Sequence, residues 1–104
     1  MDFKKVTAIV RTDCLESVEH ALQTLGVPGI TVSRVKGYGE HANFFRSDWC
    51  CTHARIEIYA EQTHVDDIVD AILASAHTGL SGDGIVTVIP VERLLRIREK
   101  REIG

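Results

Sequence analysis

The sequence predicts an α+β domain in which a strand-helix-strand unit occurs twice. Three observations predict it. Residues 4–10, 30–38, 55–61 and 85–91 read as strands, carrying period-two alternation or β-branched runs of strand length. Residues 14–25 and 63–76 carry apolar side chains at helical spacing. Each helical stretch lies between two strand stretches, and a long aperiodic segment, 40–54, joins the two units.

In the first strand Val6, Ala8 and Val10 alternate with Lys5, Thr7 and Ile9. Asp13 then fits an N-cap, with Glu16 three residues on as its capping-box partner. Leu15, Val18, Leu22 and Leu25 form the apolar stripe of the first helix, and Gly26 stands where a C-cap glycine belongs. Pro28-Gly29 turns the chain into a second strand, Ile30 to Tyr38, which runs into Gly37-Tyr38-Gly39.

From Glu40 to Ala54 no period survives, and a connection of that length inside a small domain tends to be functional. Ile56, Ile58 and Ala60 share one face of the third strand. Thr63 fits the cap of the second helix with Asp66 in the box position, and Val65, Ile68, Val69, Ile72, Leu73 and Ala76 form its buried stripe. Pro90 marks the fourth strand as an edge or its end, because proline cannot donate to a ladder. The charged tail from Glu92 to Gly104 is expected to fray beyond Arg98.

Two split βαβ units of this order interleave into one antiparallel four-stranded sheet with both helices on one face, a ferredoxin-like sandwich. The other face is partly apolar, so it is expected to be covered by sister subunits in a closed ring.

Composition narrows the partners. The 104 residues carry a formal net charge of −3, which argues against nucleic acid. No apolar run approaches the ~20 residues needed to span a bilayer, and Met1-Asp2-Phe3-Lys4-Lys5 lacks the apolar core of a signal peptide. Cysteines at 14, 50 and 51 give no even framework, and bridging adjacent Cys50 and Cys51 would close a strained ring. A cytoplasmic, reducing location is the simplest account.

The chemistry concentrates in Thr78-Gly79-Leu80-Ser81-Gly82-Asp83-Gly84. Three glycines within six residues permit φ > 0 and let main-chain N–H groups crowd into an anion-binding concavity. Arg96 and Arg98, two apart on an expected strand, would point to one side and clamp the charge the loop cradles. Taken alone, the loop is also a plain helix-to-strand turn, and the arginines are also solvated charges on a loose end. His41, Cys50, Cys51 and His53 are the one metal-like cluster, but their spacing matches no standard zinc pattern, so no metal is expected. Cys14, His20, His64 and His77 read as structural. Phe44, Phe45, Arg46 and Trp49 sit on the aperiodic segment, where aromatic anchors suit a partner or pack against the protein itself.

Several motifs in order resemble the PII signalling family. Gly29-Ile30-Thr31-Val32 and Val35-Lys36-Gly37-Tyr38-Gly39 resemble its second strand, and Ile56-Glu57-Ile58 its third. Ala76-His77-Thr78-Gly79 with Gly82-Asp83-Gly84 resembles its B-loop, and Arg93-Leu94-Leu95-Arg96-Ile97-Arg98 its C-terminal arginine segment. The resemblance implies a homotrimer with an adenine nucleotide in each intersubunit cleft and a protruding T-loop, here about 40–54, that regulates a partner such as a transporter or metabolic enzyme. The nucleotide would touch Thr31, Gly37, Tyr38, Glu57, Ile58, Thr78, Gly79, Gly82, Asp83, Gly84, Arg96 and Arg98. For Thr31 the alternative is an ordinary strand residue, and for Glu57 a pairing across the subunit interface.

The chain also departs from that pattern. Leu80 and Ile85 stand where the family has lysines that help hold the terminal phosphates of ATP. The glutamine and T-loop lysine that serve magnesium and 2-oxoglutarate correspond to His41 and His53, and the segment has no tyrosine for uridylylation. ADP or AMP is therefore expected to bind at least as well as ATP, with bicarbonate as an effector, as in PII-like relatives of inorganic-carbon metabolism and the carboxysome. The alternatives are a slow nucleotide hydrolase using Asp83, and a trimeric metal-binding protein resembling CutA.

Overall fold

The computed structural model describes residues 2–35 and 53–103. Strand β1 (Phe3–Arg11) leads through a 3-10 turn (Thr12–Cys14) into helix α1 (Leu15–Leu25), and strand β2 (Thr31–Val35) follows. The second unit is β3 (His53–Glu61), α2 (Gln62–Ala76) and β4 (Ile85–Val91), and a short hairpin, β5 (Leu95–Arg96) and β6 (Arg101–Glu102), completes the chain.

The main sheet has the order β2-β3-β1-β4 with every pair antiparallel. The expected α+β sandwich is thereby realised, with Pro90 on edge strand β4 opposite Lys4. On one face Val6, Ala8, Val10, Ile56 and Ile58 meet Val18 and Leu22 of α1 and Val65, Ile68, Ile72 and Ala76 of α2 in a single core. Burying each large aliphatic side chain contributes roughly 1.5–3 kcal/mol, and this shared cluster keeps both helices on that face. The opposite face carries Tyr59, Ile85 and Ile89, each about half exposed, among Lys5, Thr7, Glu57 and Thr87.

Both helix starts differ from the sequence expectation. Asp13 lies inside the 3-10 turn and caps nothing; Cys14 occupies the N-cap of α1, without a side-chain hydrogen bond. Thr63 is already within α2, whose N-cap is Glu61, again without a side-chain bond. There the Gln62 N–H donates to the Asp2 carbonyl at 2.9 Å, so backbone from before β1 takes the place of a cap. Gly26 ends α1 as expected, with φ of 94° and its N–H on the Gln23 carbonyl. Leu73, expected in the buried stripe, is 55% exposed, because α2 turns that side away from the core.

Strand β3 starts at His53, two residues inside the expected end of the aperiodic segment, since His53 and Ala54 pair with Arg11 and Val10. The tail beyond Arg98 is ordered into the β5–β6 hairpin rather than frayed. The Ile103 N–H donates to the Leu94 carbonyl, and Arg93 pairs with Glu102 at 2.7 Å.

Candidate functional site at the glycine loop

The loop between α2 and β4 is held by its own aspartate. The Asp83 carboxylate accepts the Thr78 N–H at 2.9 Å, the Gly79 N–H at 3.0 Å and the Thr78 hydroxyl. The Thr78 Oγ1 in turn accepts the Leu80 N–H at 3.1 Å. These donors, the Thr78 hydroxyl first, hold the Asp83 carboxyl well below the usual carboxylate range. Nearby, burial pushes the half-buried Cys14 thiol up, aided by the negative charges of Asp13 and Asp83.

Two strand ends reach the loop from below. Arg11, the last residue of β1, donates through Nε to Asp83 at 3.1 Å and through Nη2 to the Ser81 carbonyl. His53, the first residue of β3 and opposite Arg11 in the sheet, places Nε2 2.7 Å from the Gly82 carbonyl. Gly79, Gly82 and Gly84 all have positive φ. At Gly84 a Cβ would lie 1.8 Å from the Ile9 carbonyl oxygen, so only glycine lets the loop enter β4 beside β1.

The loop therefore uses part of what it was expected to offer a ligand. The N–H groups of Thr78, Gly79 and Leu80 are spent internally, while those of Ser81, Gly82 and Asp83 have no partner among the described residues. Leu80 is 66% and Ile85 47% exposed on the loop's two shoulders.

Arg96 and Arg98 lie elsewhere. The strand expected to carry both ends at Arg96, and Arg98 sits in the turn that follows. Arg96 pairs with Glu99 at 3.3 Å and lines a cleft of about 560 Å³ with Phe3, Val27, Tyr59, His64 and Leu94. That cleft adjoins the Phe3 end of β1, whereas the glycine loop adjoins the Ile9 end. Six residues at about 3.4 Å each put roughly 20 Å between them. Within one chain the arginines do not clamp the loop.

Thr31 opens β2 on the exposed sheet edge, opposite Glu57, and Glu57 pairs with Lys5 at 3.2 Å within the same chain. Ile58 is 2% exposed, its side chain in the core. The next residue, Tyr59, presents its ring to the open face and to the cleft, and was missed by sequence reasoning, as were Arg11 and the link from His53 to the loop. Gly37, Tyr38, Phe44, Phe45, Arg46, Trp49, His41, Cys50 and Cys51 lie outside the described residues. Among those described, no three His, Cys, Asp or Glu side chains converge as metal ligands, and no helix is long and apolar enough to cross a membrane.

The family model "Nitrogen regulatory protein P-II" matches residues 3–101. The chain belongs to the P-II family. It is 37% identical over 108 residues to the nitrogen regulatory protein P-II of Azospirillum brasilense, covering 97% of this chain and 96% of the relative. It is 39% identical over 102 residues to the P-II protein of Microchaete diplosiphon, covering 91% of each. Arabidopsis thaliana PII, in a crystal structure bound to citrate, superposes with a TM-score of 0.79 at 33% identity, over 96% of this chain and 84% of that one. The P-II fold and the family's signal-transduction role thus apply here.

Proposed function

We propose that this P-II protein is a non-catalytic sensor that binds ADP or AMP at least as well as ATP on its glycine loop. The observation that carries the reading is the charge state of the loop. The guanidinium that reaches it, Arg11, is already paired with Asp83, and the shoulders are Leu80 and Ile85 rather than cations. Three loop N–H groups suit a phosphate oxygen, but the loop itself adds no surplus positive charge for a γ-phosphate.

The site is completed by another copy of the chain. Arg96 and Arg98 are too far from their own loop, and the uncovered face with Tyr59, Ile85 and Ile89 gives copies an apolar surface on which to associate. A closed homotrimer brings the arginine hairpin and the edge strand β2, with Thr31, of one subunit towards the loop of the next. The segment that precedes β3, 40–52, with Phe44, Phe45, Arg46 and Trp49, is the part of the chain offered to a regulated cytoplasmic partner. Bicarbonate, a small planar anion, is the proposed second effector, with the glycine-loop amides, Arg98 and Arg46 as donors.

Asp83 supports binding over hydrolysis. Its oxygens already accept from Thr78, Gly79 and Arg11, so it is a structural anchor rather than a base for an attacking water. Calorimetric titration with AMP, ADP and ATP tests the proposal; ATP binding much more tightly than ADP would refute it.

A further inference from the structure

His53 is 5% exposed, and its Nε2–H donates to the Gly82 carbonyl at 2.7 Å. Arg11, opposite it in the sheet, donates to the preceding carbonyl, that of Ser81. Two consecutive loop carbonyls are thus drawn towards the ends of β1 and β3. In a trans peptide the N–H points opposite to the C=O, and the described chain contains no cis bond. The peptide bearing the Ser81 carbonyl also bears the Gly82 N–H, and the one bearing the Gly82 carbonyl bears the Asp83 N–H. Holding both carbonyls on the sheet therefore turns those two N–H groups away from it. The left-handed φ of 89° at Gly82, between the two peptides, lets successive N–H groups face one side as in an anion nest.

We infer that His53 is a positioning residue for oxyanion binding: by holding the Gly82 carbonyl it aims the Asp83 N–H, beside the Gly82 N–H aimed by Arg11, at a phosphate-type oxygen. It touches no ligand itself. The inference rests on the reading of the loop as a phosphate-binding site, and concerns which residue sets the direction of its donors.

The test compares full-length wild type with His53→Phe, which keeps ring volume without a donor, and His53→Gln, which restores an N–H donor. Calorimetry with ADP and with adenosine is paired with amide NMR during titration with inorganic pyrophosphate. ADP affinity falls about tenfold in His53→Phe, the scale of one contact to a charged group, and returns to within about threefold of wild type in His53→Gln. Adenosine affinity, which involves no phosphate, is unchanged in both. Pyrophosphate shifts the Gly82 and Asp83 amides of wild type, and the Asp83 response is lost in His53→Phe.

Unchanged ADP affinity and unchanged amide responses in His53→Phe would overturn the inference. So would a wild type in which neither ADP nor pyrophosphate moves those amides, a result that needs no variant to fold. If adenine nucleotides fail to bind while pyrophosphate still moves both amides in wild type and not Asp83 in His53→Phe, the nucleotide reading falls and the positioning role stands.

Discussion

Arg11 and Asp83 are 72 residues apart in the chain and 3.1 Å apart in space, joining the last residue of the first strand to the loop that precedes the fourth. The pair is about a quarter exposed on each side, so its Coulombic contribution is small. Its consequence is geometric and electrostatic together. It anchors the glycine loop on the sheet and cancels the positive charge that would otherwise attract a polyphosphate.

Restoring charge at the shoulders should change ligand preference. Leu80→Lys and Ile85→Lys each add a cation at an exposed position beside the loop. Each is expected to tighten ATP relative to ADP by roughly tenfold, the scale of one charge-assisted contact. Competition calorimetry on the single and double variants measures the ratio.

Gly84 tolerates no side chain. In Gly84→Ala the Cβ meets the Ile9 carbonyl oxygen at 1.8 Å, so the first ladder contact of β4 must open. The loss in urea unfolding should exceed the ~1–3 kcal/mol of left-handed strain alone. Gly29→Ala, with nothing within 4 Å of its Cβ, is the control and should be nearly neutral.

The glycine loop should loosen in acid. Asp83 is held below the ordinary carboxylate range, so its contribution to folding is full above the unfolded value of about 4 and is lost as pH falls further. Exchange protection of the Thr78 and Gly79 N–H groups should therefore be steady from pH 8 to 5 in opening free energy and decline below about 4. Asp83→Ala, which removes the acceptor for both N–H groups, should lose that protection at every pH.

Much of this was legible in the chain. The four main strands and both helices follow from alternation and from Val18, Leu22, Val65, Ile68 and Ile72 at helical spacing, because one buried face imposes its period on the sequence. The true helix starts were not legible: Asp13 and Thr63 fit the cap pattern but cap neither helix, and at α2 backbone before β1 satisfies a first-turn donor in a way no local pattern encodes. The loop was found from its glycines, but not the fate of its N–H groups, which depends on where one aspartate points. Arg11 left a trace: the β1–β4 register pairs Ile9 with Ile85, and continuing it sets position 83 opposite position 11. Arg96 and Arg98 were assigned to one strand because their spacing fits one; the turn after Arg96 is fixed by the Arg93–Glu102 and Leu94–Ile103 contacts across the hairpin.

Core truncation should act on the whole fold. Ile72 is 0% exposed between α2 and the sheet, so Ile72→Ala should cost about 2–5 kcal/mol in urea unfolding. Because Leu73 is 55% exposed, Leu73→Ala should cost well under that amount.

Calorimetric titration of the full chain with AMP, ADP and ATP, with and without magnesium, 2-oxoglutarate and bicarbonate, tests the central claim most directly. The account predicts that ADP or AMP binds at least as tightly as ATP, that bicarbonate strengthens binding, and that 2-oxoglutarate has no effect. ATP bound much more tightly than ADP, and tightened further by 2-oxoglutarate, would contradict it.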